Sequence, residues 1–354
     1  MGIQQQAVSS PGTMDRRHPD EGEPNPVLVW DTIHGYQRSA ALRAAVDLDL
    51  FTAIGAGYVD VPAIAQRCEA SERGVRILCD FLTVAGLLFK ENGRYALTPT
   101  SSAFLDRRSP AEMTSVIRFL HSPKLLSGFA NLTQVVKQGG TALPQGGVTE
   151  PELAEWVTFA ESMTPIMRPA AEFIAELAMA DARRPKRVLD IAAGHGLFGI
   201  LLAKRVPEAE IVAQDWPNVL PTAKRNAESA GVAARYQLLP GDAFTLDLGS
   251  NFDCVLLTNF LHHFSKGDCQ RILRRIYECL NPGGRLFVLE FVPNPDRVAP
   301  PIPASFSLMM LGLTPEGDAY TMQELEAMLL YGGFARSELL QVPRSPQQVV
   351  VSTK

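Results

Sequence analysis

VLDIAAGHGLFG, residues 188–199, decides how the rest of the chain is read. Its first residues are a short apolar run interrupted by one acid, as in a buried strand. Gly194, Gly196 and Gly199 then form G-x-G-x-x-G, and GLFGILLAKRV continues as a helix. Glycines after a strand let backbone approach a ligand closely, and the following helix start offers free N–H groups. Strand-like and helix-like pieces alternate from there: EIVAQD, NVLPTAKRNAESAG, ARYQLLPGD, FDCVLLTNF, KGDCQRILRRIYECL and GGRLFVLEF. This alternation predicts an α/β fold, a doubly wound Rossmann-like parallel sheet with helices on both faces, over residues 183–354.

The glycine motif alone does not choose a ligand, because dinucleotide-binding domains use it as well. In those, the first glycine follows the strand almost at once and receives a pyrophosphate. Here Asp190 ends the strand four residues before Gly194. An anion there would face a pyrophosphate badly, and it suits a ligand carrying an amino group and a sulfonium cation. Asp215 closes the second strand, with Trp216 beside it; a carboxylate at that place can accept both ribose hydroxyls of either ligand class. Asp242 closes the third, and with Ala243 and Phe244 it is arranged to bond an adenine amino group while an apolar side packs on the ring. The competing readings are a helix cap for Asp242 and a core aromatic for Phe244. Acids at three successive strand ends beside a glycine loop favour the ligand reading.

VLDIAAGHG, AQDWP, PGDAF, LTNFLHHF and LNPGGRLFVLE, in this order, resemble class I S-adenosylmethionine-dependent methyltransferases. The N-terminal part and FAESM are similar to the plant and bacterial small-molecule O-methyltransferases, the caffeic acid type among them. The resemblance covers about residues 27–354. It implies S-adenosylmethionine as cofactor and S-adenosylhomocysteine as product, held by Asp190, Gly194, Gly196, Asp215, Trp216, Asp242, Ala243, Phe244, Thr258 and Asn259.

O-methylation of a phenol requires removal of the hydroxyl proton, a task that suits histidine because its pKa lies near the working pH. LTNFLHHFSK carries His262 and His263 to the carboxyl edge of the sheet. The family's base lies in a segment of the form H-D-W-S-D. Set against it, H-H-F-S-K implies His262 as base and puts His263 where an aspartate usually stands. Glu290 takes the place of the first acid that steadies the base, whereas Ala319 replaces the second. The methionine-lined acceptor pocket of the family implies Phe159, Met163, Met167, His263, Met310 and Thr314 as lining, Thr314 being an asparagine in plant members. A methionine-rich helix is also ordinary core.

At 354 residues the chain is long enough for two domains. Residues 1–25 are polar and rich in Pro, Gly and charge, which predicts a disordered tail. Residues 26–108 predict short amphipathic helices and a small hairpin, a winged-helix-like arrangement. Residues 109–182 read as a helical linker contributing to the substrate pocket, broken by SPKLLSG and KQGGTALPQGG. Between 25 and 105, seven Lys/Arg stand against eight Asp/Glu, and the net charge is −5, so a concentrated basic face for nucleic acid is missing. The winged-helix region is therefore expected to dimerise a homodimer rather than bind DNA. The five cysteines are odd in number and scattered, with no C-x-x-C pair, so neither a disulfide framework nor a zinc ribbon nor another metal site is suggested. No apolar run of about 18 residues or charged leader is visible, so a cytoplasmic protein without a membrane partner is expected. The expected function is methyl transfer to a hydroxyl of a small aromatic metabolite. The alternatives are C- or N-methylation on the same fold, a non-methylating regulatory protein, and, least favoured, a dehydrogenase.

Overall fold

A computed structural model describes residues 24–180 and 184–354. The tail expected at 1–25 lies outside the described residues except for its last two. In the N-terminal region, helices Leu50–Gly55, Val61–Arg67 and Glu72–Val84 precede the antiparallel hairpin β1 (Leu88–Glu91) and β2 (Arg94–Leu97). Asp60 and Ser71 start the second and third of these helices by accepting from the backbone N–H of Ala63 and Gly74. Leu50, Phe51, Ile64, Leu82, Leu88 and Tyr95 fill a core of their own. The segment AALRAAVDLDLFTAI, helical throughout by spacing, breaks in two at Asp49, whose φ of 55° stops the helix Gly35–Asp47 before the next begins.

SPKLLSG, read from sequence as a break, is instead a helix, Pro123–Ala130. Proline at the first helical position loses no hydrogen bond and has φ preset for the helix, while Leu125 supplies a buried contact. KQGGTALPQGG runs from the end of helix Leu132–Gln138 through a loop into the short 3-10 stretch Pro144–Thr149, and the loop docks: Thr141 donates from its N–H to the Thr314 carbonyl (2.9 Å) and from its hydroxyl to that of Gly312 (2.7 Å).

The C-terminal sheet comprises β3 (Arg187–Ile191), β4 (Glu210–Asp215), β5 (Tyr236–Pro240), β6 (Phe252–Thr258), β7 (Leu280–Glu290), β8 (Ser337–Gln341) and β9 (Gln348–Thr353). Their spatial order is β5-β4-β3-β6-β7-β9-β8, parallel except that β9 runs antiparallel to both neighbours. Alternate residues enter opposite cores, as a period of two requires. Val188, Ile211, Cys254, Leu256 and Phe287 pack on the side of helices Thr164–Met179 and Leu197–Arg205. Leu189, Val212, Val255, Leu257 and Leu286 pack on the side of helices Lys266–Cys279 and Met322–Gly332. Strands covered on both faces must be largely apolar, which is why these read as near-continuous apolar runs. Asn281-Pro282-Gly283-Gly284, a run of turn-forming residues, lies inside β7, with a register irregularity opposite it between Phe252 and Cys254. The strand order reverses between β3 and β6. Ligands of open α/β sheets bind outside the carboxyl ends at such a point, and both the glycine loop and the two histidines leave the sheet there.

Candidate active site

The glycine loop turns sharply, with φ of 56° at Gly194 and 74° at Gly196. A Cβ at Gly196 would sit 2.5 Å from the Tyr236 hydroxyl, whereas around Gly194 nothing comes nearer than 3.9 Å. Gly194 thus leaves open space beside its backbone, where Gly196 is packed against Tyr236. Its N–H donates to Asp215 Oδ2 (2.7 Å), and Trp216 N–H donates to Asp215 Oδ1 (2.7 Å). Each carboxylate oxygen keeps a further lone pair for a hydroxyl.

Asp190 lies beneath the loop. It shares a sheet face with Val188, is fully buried, and accepts at Oδ2 from Gly199 N–H (3.1 Å) at the start of helix Leu197–Arg205. Its Oδ1 has no partner among the described residues, nor has the nearby Tyr236 hydroxyl. Burial pushes the Asp190 carboxyl up to about 7 and that of Asp215 up to about 6. Two buried carboxyls displaced in this sense favour an incoming cation or hydroxyl donors and oppose a pyrophosphate. The donor set therefore fits a cofactor with an ammonium, a ribose and a sulfonium. His195, within the loop, is held neutral by burial, which lowers it to about 4, and its Nδ1 accepts from Leu197 N–H.

Asp242 closes its own turn, accepting at Oδ1 from Phe244 N–H (2.9 Å) and at Oδ2 from the Thr245 hydroxyl (3.3 Å). Phe244 joins Phe260 and Phe264, with ring centroids 5.8 and 4.9 Å away. Both the capping and the core readings of these residues thus have geometry behind them, and both leave the turn at the sheet's carboxyl edge. At the end of β6, Thr258 is buried and Asn259 adopts φ of 54°. The Asn259 amide bridges Gln347, which donates to its oxygen, and the Met167 sulfur at 3.5 Å.

His262 and Glu290 form the most tightly specified pair. Glu290 ends β7, and its Oε1 accepts from the backbone N–H of Phe260 (3.2 Å), Leu261 (2.8 Å) and His262 (3.4 Å). Its Oε2 takes Nδ1 of His262. With Nδ1–H so committed, the free lone pair of the imidazole is on Nε2. Ala319, at the second acid's place, is fully buried and brings no carboxylate; the neighbouring Asp318 pairs with Arg297 (3.0 Å). His263 packs 4.2 Å from the His262 ring and 5.1 Å from Trp156. Burial, and after it the neighbouring His262, lower its pKa, so it stays neutral.

Met163, Met167 and Met310 are buried, and Phe159 packs edge-on to Phe119 and to Trp156, which in turn packs on His263. Thr314 spends its hydroxyl within the chain, donating to the Met310 carbonyl (2.7 Å) and accepting from Gly317 N–H (2.9 Å). Trp156, Phe306 and Gly317 were not anticipated from sequence. Trp156 lies one helical turn before Phe159, so spacing held a signal for it. Phe306 meets His262 edge-on at 4.9 Å, and a side chain at Gly317 would run into the His262 carbonyl; neither has a local signature. Among the described residues no cluster of three or more His, Cys, Asp or Glu is arranged to hold a metal, and no helix is long and apolar enough to cross a membrane.

Fold and site together define a doubly wound methyltransferase-type domain behind a helical N-terminal region. The chain belongs to the O-methyltransferase family: the family model for the O-methyltransferase domain matches residues 155–335, and that for the O-methyltransferase dimerisation domain matches residues 30–107. It is accordingly an S-adenosylmethionine-dependent O-methyltransferase. A candidate O-methyltransferase of Nostoc punctiforme has a structure 47% identical to this chain, with a TM-score of 0.91 over 94% of this chain and 100% of that one. The 3-hydroxy-5-methyl-1-naphthoate 3-O-methyltransferase of Streptomyces sahachiroi is 27% identical over 81% of this chain and 83% of its own. Human N-acetylserotonin methyltransferase in complex with SAM shares the fold, with a TM-score of 0.80 at 24% identity over 95% of this chain and 99% of that one.

Proposed function

We propose that the chain methylates a hydroxyl of a small, planar aromatic metabolite, with His262 as general base. The observation that carries this reading is the double use of Glu290. One carboxylate oxygen fixes the backbone of the turn 260–262, and the other fixes the His262 tautomer. Bound at the switch point, S-adenosylmethionine supplies an electrophilic methyl group on a sulfonium. Gly194 and Gly196 would lie along its homocysteine end, Asp215 and Trp216 at the ribose, Asp242, Ala243 and Phe244 at the adenine, and Thr258 and Asn259 along the floor. Asp190 supports the loop from below and supplies negative charge.

His262 takes the acceptor's hydroxyl proton at Nε2, and the positive charge it gains is stabilised by Glu290 at Nδ1. Holding the acceptor oxygen in line and excluding water supplies much of the rate. Met163, Met167, Met310 and Phe159, with neutral His263, give flat apolar walls, and Thr314 fixes the turn that carries Gly317 against His262. The aromatic character of the acceptor is supported by this lining and by the naphthoate enzyme among the relatives. The region matching the dimerisation domain would join two copies, within a division of the chain at 26–108, 109–182 and 183–354. Calorimetric titration with S-adenosylhomocysteine beside NAD tests the cofactor: one-to-one binding of the former alone is expected, and binding of NAD would overturn the assignment. His262→Ala should lower turnover about 10²- to 10⁴-fold while leaving S-adenosylhomocysteine affinity unchanged; turnover near wild type would remove the base.

A further inference from the structure

Helix Lys266–Cys279 reaches the adenine end of the site from the far face of the sheet. Arg275, half-buried on it, donates from Nη1 to the Ala243 carbonyl (2.7 Å) and from Nη2 to the Leu246 carbonyl. One helical turn earlier, the Arg271 guanidinium lies over the Phe244 ring, 5.6 Å from its centroid. The turn they grip is a single short one, closed by the N–H groups of Thr245 (3.1 Å) and Leu246 (2.9 Å) on the Asp242 carbonyl. Its outward carbonyls at 243 and 246 have no sheet or helix partner, and a planar guanidinium fork answers both at once.

We infer that Arg275 is a positioning residue for adenine, holding the turn 242–246 in the shape that presents Asp242 and Phe244, with Arg271 covering the outer face of Phe244. The inference rests on the reading of Asp242 to Phe244 as the adenine subsite. The coupling runs through one peptide plane. The plane between Ala243 and Phe244 is held at its oxygen by Arg275 and at its N–H by Asp242. If the oxygen is released, that plane rotates, Asp242 Oδ1 loses the Phe244 N–H and keeps only the Thr245 hydroxyl on Oδ2, and the Phe244 ring shifts with its backbone. Lysine offers a point charge and cannot span both carbonyls, so charge alone does not substitute.

The test is calorimetry on the full chain with S-adenosylhomocysteine, 5′-methylthioadenosine (adenine and ribose, no amino acid) and S-ribosylhomocysteine (no adenine). For Arg275→Met, affinity for the first two should fall by the same factor, about ten- to hundredfold, with S-ribosylhomocysteine unaffected. Arg275→Lys should fall between it and wild type. S-adenosylhomocysteine affinity within twofold of wild type in Arg275→Met, or an equal loss on S-ribosylhomocysteine, overturns the inference. If Arg275→Met does not fold, Arg275→Lys decides: full affinity for 5′-methylthioadenosine overturns it, and reduced affinity confined to adenine-bearing ligands supports it. Asp242→Asn separates the two layers. If it leaves S-adenosylhomocysteine binding intact, the adenine subsite itself is wrong; if it weakens binding while Arg275→Met does not, only the role of Arg275 falls.

Discussion

Replacing Glu290 by Gln isolates the tautomer of His262 from the fold around it. Glutamine keeps a carbonyl oxygen where Oε1 accepts from Phe260, Leu261 and His262, so the turn 260–262 keeps its acceptor. It puts an amide NH2 where Oε2 now takes Nδ1. Two donors cannot face each other, so the ring is driven to the tautomer with hydrogen on Nε2, and the basic lone pair moves away from the acceptor. Exchanging a charged for a neutral acceptor costs about 1–2 kcal/mol of stability, a small fall in Tm. The loss of general-base catalysis is larger, about 10²- to 10⁴-fold, or about 3–5 kcal/mol on the barrier. Alanine would orphan the same N–H groups inside the protein and confuse folding with catalysis. The assay is single-turnover methyl transfer to a phenolic acceptor found by screening, beside thermal unfolding and S-adenosylhomocysteine calorimetry. A rate within threefold of wild type in folded, cofactor-binding Glu290→Gln would refute the reasoning, because the base would then not depend on its tautomer.

Asp190→Asn carries a pH signature. Burial raises the Asp190 carboxyl to about 7, above its value of about 3.9 in an unfolded chain. The folded state therefore holds the proton more tightly, and this contribution is complete at low pH and lost as pH rises from about 4 to 7. Ligand-free Asp190→Asn should match wild type near pH 4 and exceed it at pH 8, by an amount on the order of a few kcal/mol in thermal or urea unfolding. The lowered His195 and the raised Asp215 are present in both proteins, so the difference between the two reports Asp190. Conversely, S-adenosylhomocysteine should bind wild type more tightly as pH rises from 6 to 8, and Asp190→Asn should keep only the shallower part that comes from Asp215, itself raised to about 6; an undiminished trend in the variant would remove Asp190 as its source. Gly317→Ala, whose new methyl group meets the His262 carbonyl, should lower kcat about tenfold or more with cofactor affinity unchanged. Wild-type kcat there would show that the turn yields without moving the base.

The alternation of strands and helices in the α/β domain was legible along the chain, whereas the strand order and the antiparallel β9 were not. Continuous apolar strands separated by amphipathic helices have one economical layering, and the glycines and strand-end acids lie at fixed distances along the chain from the strands that carry them. His262 was legible for the same reason, since it follows β6 directly. Local signals failed where a residue's partner is remote. Asp49 splits a helix that spacing alone makes continuous, and Pro123 begins one where composition suggests a break. Only the tertiary structure decided that Glu290 serves both the backbone and the ring of a histidine 28 residues earlier. It also decided that Asp190 supports the loop from beneath, that Arg275 reaches carbonyls 29 and 32 residues away, and that Gly317 leaves room for the His262 carbonyl. Periodicity and turn chemistry act over a few residues. The orientation of a base and the shape of a pocket are set by hydrogen bonds and contacts between segments that only folding brings together.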